Sequence, residues 1–401
     1  MRSMIVDILL ERIQSENKRF EELYSELDML EADIRERGYQ FHKLEELLSA
    51  NFVQYRPELE KFADMDMPID ATLSVVNNED DWRAALLKKF TAEIPDKLQS
   101  IYMQLFEFED THSIQPAVVA DNPIEFYIAG STLHSDIQFM HEMSGFCFKH
   151  GIFIYTSGMR RETLANLARK MNEGETLKMA FKAALKFETG FALNLVVHEL
   201  AHAQVPELYD RDVALKKEIL SLETEFYHSL ASNESLIDEL NAKFAGLPQI
   251  EKRMALTIAI PPVNPAKLTK FPFDFKLISI PTPVPQFTLP ANAEELRSEI
   301  TTLVEERSVL GAIIEGYSSF VSERLLSNDE DYLFFKDERD RNLKRIKGPG
   351  AIMREVTVAK YGSELLKRFY QRYGKKGLRT ILEHPPKTYN ELLHCCSFPC
   401  I

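Results

Sequence analysis

The chain is short of positive charge. Its 48 Lys and Arg face 62 Asp and Glu, a formal net charge of −14. Nucleic-acid binding needs a basic footprint, and none stands out. The negative balance also repels anionic lipid and polyanionic substrates. Cysteine is scarce as well: Cys147 stands alone, and Cys395, Cys396 and Cys400 crowd the C-terminus. Four cysteines so placed do not make a disulfide scaffold, so a reducing compartment is the simpler expectation. No apolar run reaches the ~18 residues of a membrane span. The opening "MRSMIVDILLERIQSE" has only a short apolar stretch before charges begin, and it lacks a small-residue cleavage site. It does not read as a signal peptide. A cytoplasmic protein is expected, with export through a signal of another kind left open.

What is present is the balance of a chain able to bury a core: 45% hydrophobic and 27% charged residues, with 26 Phe and 14 Tyr. At 401 residues it has room for two or three domains. Ile13, Phe20, Leu27, Ile34, Phe41 and Leu48 recur at seven-residue intervals. Leu9, Leu23, Leu30 and Leu44 fall where the second seam of a heptad belongs. Glu16 and Arg37 interrupt that seam, and Gly38 weakens the helix locally. The first fifty residues therefore read as a long helix, either a coiled coil that self-associates or grips a partner protein, or a helix packed on its own chain.

Residues 51–115 show apolar spacings of three and four and read as helical. "PIEFYIAGS" and "GFCFKHGIFIYTSG" are aromatic, β-branched and bounded by glycine, which predicts strands. Helical pattern resumes at "RRETLANLARKM", runs through "TLKMAFKAALKFETGFALNLVVHELAHAQ", and returns over about 211–245 with Leu215, Ile219, Leu222 and Phe226 on one stripe. Eight prolines between 259 and 290 (261, 262, 265, 272, 281, 283, 285, 290) forbid a helix there. Phe271, Phe273, Phe275 and Phe287 suggest that this strap lies on apolar surface. A last helical region begins near Asn292.

The string with chemistry in it is "NLVVHELAHAQ". His198 and His202 are four residues apart, so a helix puts both imidazoles on one face and within reach of one metal ion. Glu199 between them stands beside that ion, where it can take a proton from an attacking water and hand it to a leaving amine. This spacing arises by chance in roughly a few per cent of chains of this kind. The apolar "ALNLVV" before it raises its weight, since buried histidines need partners. A pair of satisfied core histidines is the competing reading. Catalytic zinc takes three protein ligands and keeps one position open. A compact site with a third histidine six residues on is absent, because that position is Leu208. The third ligand then comes from elsewhere, and Glu207, Asp210, Asp212 and Glu306 are candidates.

"IIEGYSSFVSERL" resembles the glutamate helix of the gluzincin (thermolysin-like) metallopeptidases, whose "EG" pair supplies the third ligand. Downstream, "YGSELLKRFYQRYGKKGLRTILEHPPKTYNELLH" resembles the tail of one branch of that superfamily. The resemblance covers about 190–205 and 310–398. It implies Zn2+ held by His198, His202 and Glu315. Two departures stand out: Tyr317 where that branch carries an acid, and Ser319 where thermolysin-like enzymes have the aspartate that orients a ligand histidine. Asp210, Asp212 or Glu323 are candidates for that orienting role, which fixes the imidazole tautomer. An oxyanion stabiliser is also implied, with Tyr317, Tyr361, His384, Tyr389 and His394 as candidates. "GIFIYTS" (151–157) is the candidate edge strand for adding the substrate backbone as an extra strand.

The C-terminal "HCCSFPC" offers His394, Cys395, Cys396 and Cys400 as a second metal site, but it lacks a paired knuckle, and free or lipid-modified thiols in a tail are the plainer reading. The expectation is a mainly α fold with a small β-sheet and a zincin-like catalytic domain. Its parts are a helical N-terminal region (1–115), a catalytic part (116–205), a helical and Pro-rich insertion (206–290) and a glutamate-helix region (291–401). The resemblance implies a zinc metallopeptidase acting on a peptide or restricted protein substrate, working in its own cell or delivered to another as bacterial effector proteases are. A non-catalytic scaffold on a degenerate peptidase fold, and a zinc hydrolase of a non-peptide bond, are the alternatives.

Overall fold

The computed structural model describes residues 4–111, 119, 121–243, 260–264, 288–345 and 351–397. It is mainly helical with a three-stranded sheet. Two helices, α1 (Met4–Glu36) and α2 (Leu44–Ala63), replace the single one expected over the first fifty residues. Gly38 makes the break. It adopts φ 83°, a left-handed conformation that side chains with a Cβ resist. Its N–H donates to Arg35 O, and the Tyr39 N–H donates to Ile34 O. These are the paired bonds of a glycine helix stop, and Tyr39 packs against the small cluster that contains Ile34. Phe41 and Leu48 thus lie beyond the break, and the heptad seam is not continuous.

Helix α1 lies on α5 (Pro123–Glu142) and α6 (Thr156–Asn172) of its own chain. Phe20 stacks on His141 at 4.3 Å, and the Tyr24 hydroxyl donates to His141 O at 3.1 Å. Leu23, on the second seam, is left exposed. Of the two readings of this helix, packing on its own chain is the one seen.

The stretch expected to be helical over 51–115 contains α3 (Glu79–Ala92) and α4 (Asp96–Thr111), but also strand β1 (Thr72–Val76). "PIEFYIAGS", expected as a strand, is the first half of α5. Pro123 opens that helix with its φ preset. Phe126, Ala129, Leu133, Ile137 and Met140 are then buried at helical spacing, a period too long to see in nine residues.

Strands β2 (Gly145–Phe148) and β3 (Gly151–Tyr155) form as expected. The order is β1-β3-β2, with Thr72 opposite Gly151 in the parallel pair and Gly145 opposite Ile154 in the antiparallel pair. Strand β3 is therefore central and paired on both sides, so the expectation of residues 151–157 as a free edge is wrong; Thr156 and Ser157 already belong to α6.

Helix α7 (Leu177–Ala203) runs through the core, flanked by α2, α6, α10 (Ala291–Leu325) and α11 (Glu330–Arg345). Strand β2 crosses it closely: a Cβ on Gly145 would stand 2.9 Å from a methyl of Leu195. After α7 the chain turns at Gln204 and Val205 into α8 (Pro206–Ala231), again with proline at the first turn, and then α9 (Glu234–Lys243). Helix α8 packs along α10, which also packs along α12 (Ala351–Glu383); α13 (Tyr389–Ser397) closes the described chain. In the proline strap, Pro265, Pro272, Pro281, Pro283 and Pro285 and the four phenylalanines lie outside the described residues. Among the described residues no helix is long and apolar enough to cross a membrane.

Four elements are tied by buried charge. Glu93 accepts from Lys89 at 2.5 Å and Lys216 at 2.7 Å, and Tyr102 donates to Asp136 at 2.7 Å beside Lys216. Burial alone raises the Glu93 carboxyl, but the two ammonium groups overcome it and hold it at about 2.

Candidate metal centre

Helix α7 carries His198, Glu199 and His202 in its last two turns, and α10 brings Glu315 against them. The His198 Nε2 and His202 Nε2 atoms are 2.9 Å apart. Glu315 Oε2 lies 3.4 Å from His198 Nε2, and its Oε1 lies 3.6 Å from His202 Nε2. Tetrahedral donors at metal distances of about 2.0–2.1 Å sit about 3.3–3.4 Å from one another, so the two imidazoles and the carboxylate are spaced close to three of the four positions of a tetrahedral shell. Among the described residues, these three form the group able to hold a metal ion. The His198 and Glu315 side chains are 21% and 24% exposed while His202 is 4% exposed, so the group opens to solvent on one side.

The glycine of the "EG" pair has a packing reason. A Cβ on Gly316 would lie 2.4 Å from the Gly362 carbonyl carbon, and one on Gly362 would lie 1.9 Å from Ala312 O. Helices α10 and α12 thus meet backbone to backbone at that crossing, directly beside Glu315.

Glu199 is buried, and its Oε2 has no hydrogen-bond partner. Burial pushes its carboxyl up to about 7, with His198 opposing and Glu315 adding to the rise. Glu315 shifts the other way: burial raises it, but His202 and the hydrogen bonds from both imidazoles hold it well below the usual carboxylate range.

The other candidates are paired elsewhere or exposed. Asp212 forms a two-pronged pair with Arg307 at 3.0 and 3.1 Å. Glu306 is bound by Arg211, and Glu323 by Lys336 at 2.6 Å. Glu207 and Asp210 are exposed. The structure therefore places none of Asp210, Asp212 and Glu323 behind the imidazoles. His202 Nδ1 is buried without a partner, in keeping with Ser319 standing where an orienting acid was expected. Ser318 supplies one polar neighbour, its Oγ 3.3 Å from His198 Nε2.

The stabiliser candidates fare no better. Tyr317 is buried and donates to Gln204, Tyr361 shares a 2.5 Å hydrogen bond with Tyr389, and His384 and His394 are exposed. Cys395 is disulfide-bonded rather than a free thiol. Its neighbours Cys396 and Cys400 have side chains outside the description.

Sequence reasoning missed Tyr209. Its ring stands edge-on to His202, centroids 5.1 Å apart at 89°. Burial raises its hydroxyl well above the ordinary phenol value, and the charges of Glu315 and Glu199 raise it further. The ring therefore lies against one imidazole of the site. Seven residues after His202 would be two turns of an unbroken helix, but the turn at 204–205 decides where this ring goes, and no pattern in the string announces it.

Strand β2 lies over the same end of α7. Burial pushes the Cys147 thiol well up, and the Glu199 carboxylate adds to the effect. No family model matches the chain, and no curated protein or solved structure matches it.

Proposed function

We propose that the protein is a zinc-dependent metallopeptidase of gluzincin type, with His198, His202 and Glu315 as the metal ligands. The observation that carries this reading is the convergence of two imidazole nitrogens of one helix, 2.9 Å apart, with a carboxylate of another helix whose two oxygens lie 3.4 and 3.6 Å from them. Two nitrogens and one oxygen suit zinc, and three protein ligands leave a position for chemistry. A zinc ion bound there supplies Lewis acidity, which polarises a carbonyl and makes water reactive near neutral pH.

The chain's own residues do the rest. Glu199, buried and without a partner for Oε2, accepts the proton of the attacking water and returns it to the departing amine. Tyr209 is the hydroxyl beside the site able to donate to the oxyanion of the tetrahedral intermediate. Strand β2, an edge of the sheet packed on the helix that carries Glu199, replaces β3 as the strand on which an extended peptide aligns.

The partnerless Nδ1 of His202 favours the rival reading, a binding protein on a degenerate site. Glu199 opposes it, because a structural metal site needs no such base. The test is hydrolysis of a peptide library by zinc-loaded protein, with Glu199→Gln as the control. Cleavage abolished by that substitution, with zinc retained, supports the peptidase. A zinc-loaded wild type that cleaves nothing supports the rival.

A further inference from the structure

We infer that Gln204 and Tyr317 are positioning residues that set the distance between Glu315 and the two imidazoles, an inference that rests on the metal-site reading above. Each stands two residues beyond a proposed ligand, Gln204 after His202 and Tyr317 after Glu315. The Tyr317 hydroxyl donates to Gln204 Oε1 at 2.5 Å, and Gln204 Nε2 donates to Met65 O at 2.7 Å. One amide thus joins the end of α7, the body of α10 and the chain leaving α2. Tyr317 is 0% and Gln204 3% exposed, so water does not compete for these bonds.

The geometry around them explains why such a tie matters. On its far side α10 is held by the glycine crossing with α12, where backbones touch at Gly316 and Gly362. That contact fixes how closely α10 and α12 approach, but not how α10 is set against α7. The Tyr317–Gln204 bond links α7 and α10 without using a ligand atom. A phenylalanine would fill the same apolar space, so the hydroxyl is needed for the bond and not for the packing. Metal donors must be placed to a few tenths of an ångström. His202 has no carboxylate behind it to correct an error, since its Nδ1 is unpartnered. The constraint therefore falls on the helices that carry the ligands.

The experiment compares full-length wild type, Tyr317→Phe and Gln204→Leu. Zinc affinity is measured by competition with a chelator, and ligand geometry by the visible absorption of the cobalt(II) form at saturating metal. Ile34→Val, a core change in the separate cluster of Ile34 and Leu167, is the control for general loss of stability. The expected result is zinc binding weakened about tenfold or more in both tie variants. Their cobalt spectra change in intensity, while Ile34→Val keeps the wild-type affinity and spectrum. Both variants break the Tyr317–Gln204 bond, and Gln204→Leu also removes the bond to Met65 O, so Tyr317→Phe isolates the tie and Gln204→Leu serves if it does not fold. Wild-type affinity and an unchanged cobalt spectrum in a folded tie variant would overturn the inference and leave the metal reading intact. A wild type that binds neither metal removes both.

Discussion

Glu199 and Tyr209 divide the proposed chemistry between a base and a hydrogen-bond donor. Glu199→Gln keeps the shape of the side chain but cannot take a proton; kcat should fall by about 10²–10⁴ with zinc content unchanged. Tyr209→Phe removes only the hydroxyl, and kcat should fall by about 10²–10³ while KM changes little, because the oxyanion exists only on the way to product. Steady-state kinetics on one cleaved peptide checks both. An equal loss in kcat/KM through KM alone would return Tyr209 to a packing role. How far these residues could be read in advance follows from where they lie. His198, Glu199 and His202 sit within one helical turn, so local spacing reveals them. Glu315 is 113 residues beyond His202 (315 − 202), and only the resemblance of its helix singled it out. Tyr209 and Gln204 depend on the turn at 204–205, and nothing in their neighbours declares a role.

At the scale of elements, the site is a relation between α7 and α10 held from outside by α12 and α8. Gly362→Ala would drive a Cβ to 1.9 Å from Ala312 O. Because the obstacle is backbone, the helices must part, at a cost on the order of 1–3 kcal/mol. Denaturant unfolding should show that loss, and chelator competition should show weaker zinc binding along with it. The buried ion cluster makes a second prediction. Glu93 titrates at about 2 in the fold against an ordinary 4.5, so the folded chain holds fewer protons between those values. Its contribution is full above about pH 4.5 and fades as pH falls towards 2. Glu93→Gln leaves Lys89 and Lys216 without their carboxylate and should cost about 3–5 kcal/mol at pH 7. The difference between variant and wild type should shrink below pH 4.5. Element type was legible where periodicity ran long, as in α7 and α10. It failed at "PIEFYIAGS", where nine residues of aromatic and β-branched character concealed the start of a twenty-residue helix.

The whole molecule is an α-rich body in which distant stretches of sequence share one core. Composition and long apolar periods were enough to foresee a mainly helical protein with a small sheet. The order of the strands was not foreseeable, because it is set by which surfaces meet, whereas packing of α1 on its own chain was one of two readings that the heptad pattern left open. If the three proposed ligands join α7 to α10 through zinc, metal is part of the fold. Zinc at about a thousand times its dissociation constant should add about 4 kcal/mol to stability and raise the melting temperature, and a chelator should reverse it. The most direct test of the central claim is elemental analysis of purified wild type, His202→Ala and Glu315→Ala. The account predicts about one zinc per wild-type chain, lost or much weakened in both variants. Full retention of zinc in Glu315→Ala, or none in the wild type after reconstitution, would contradict it.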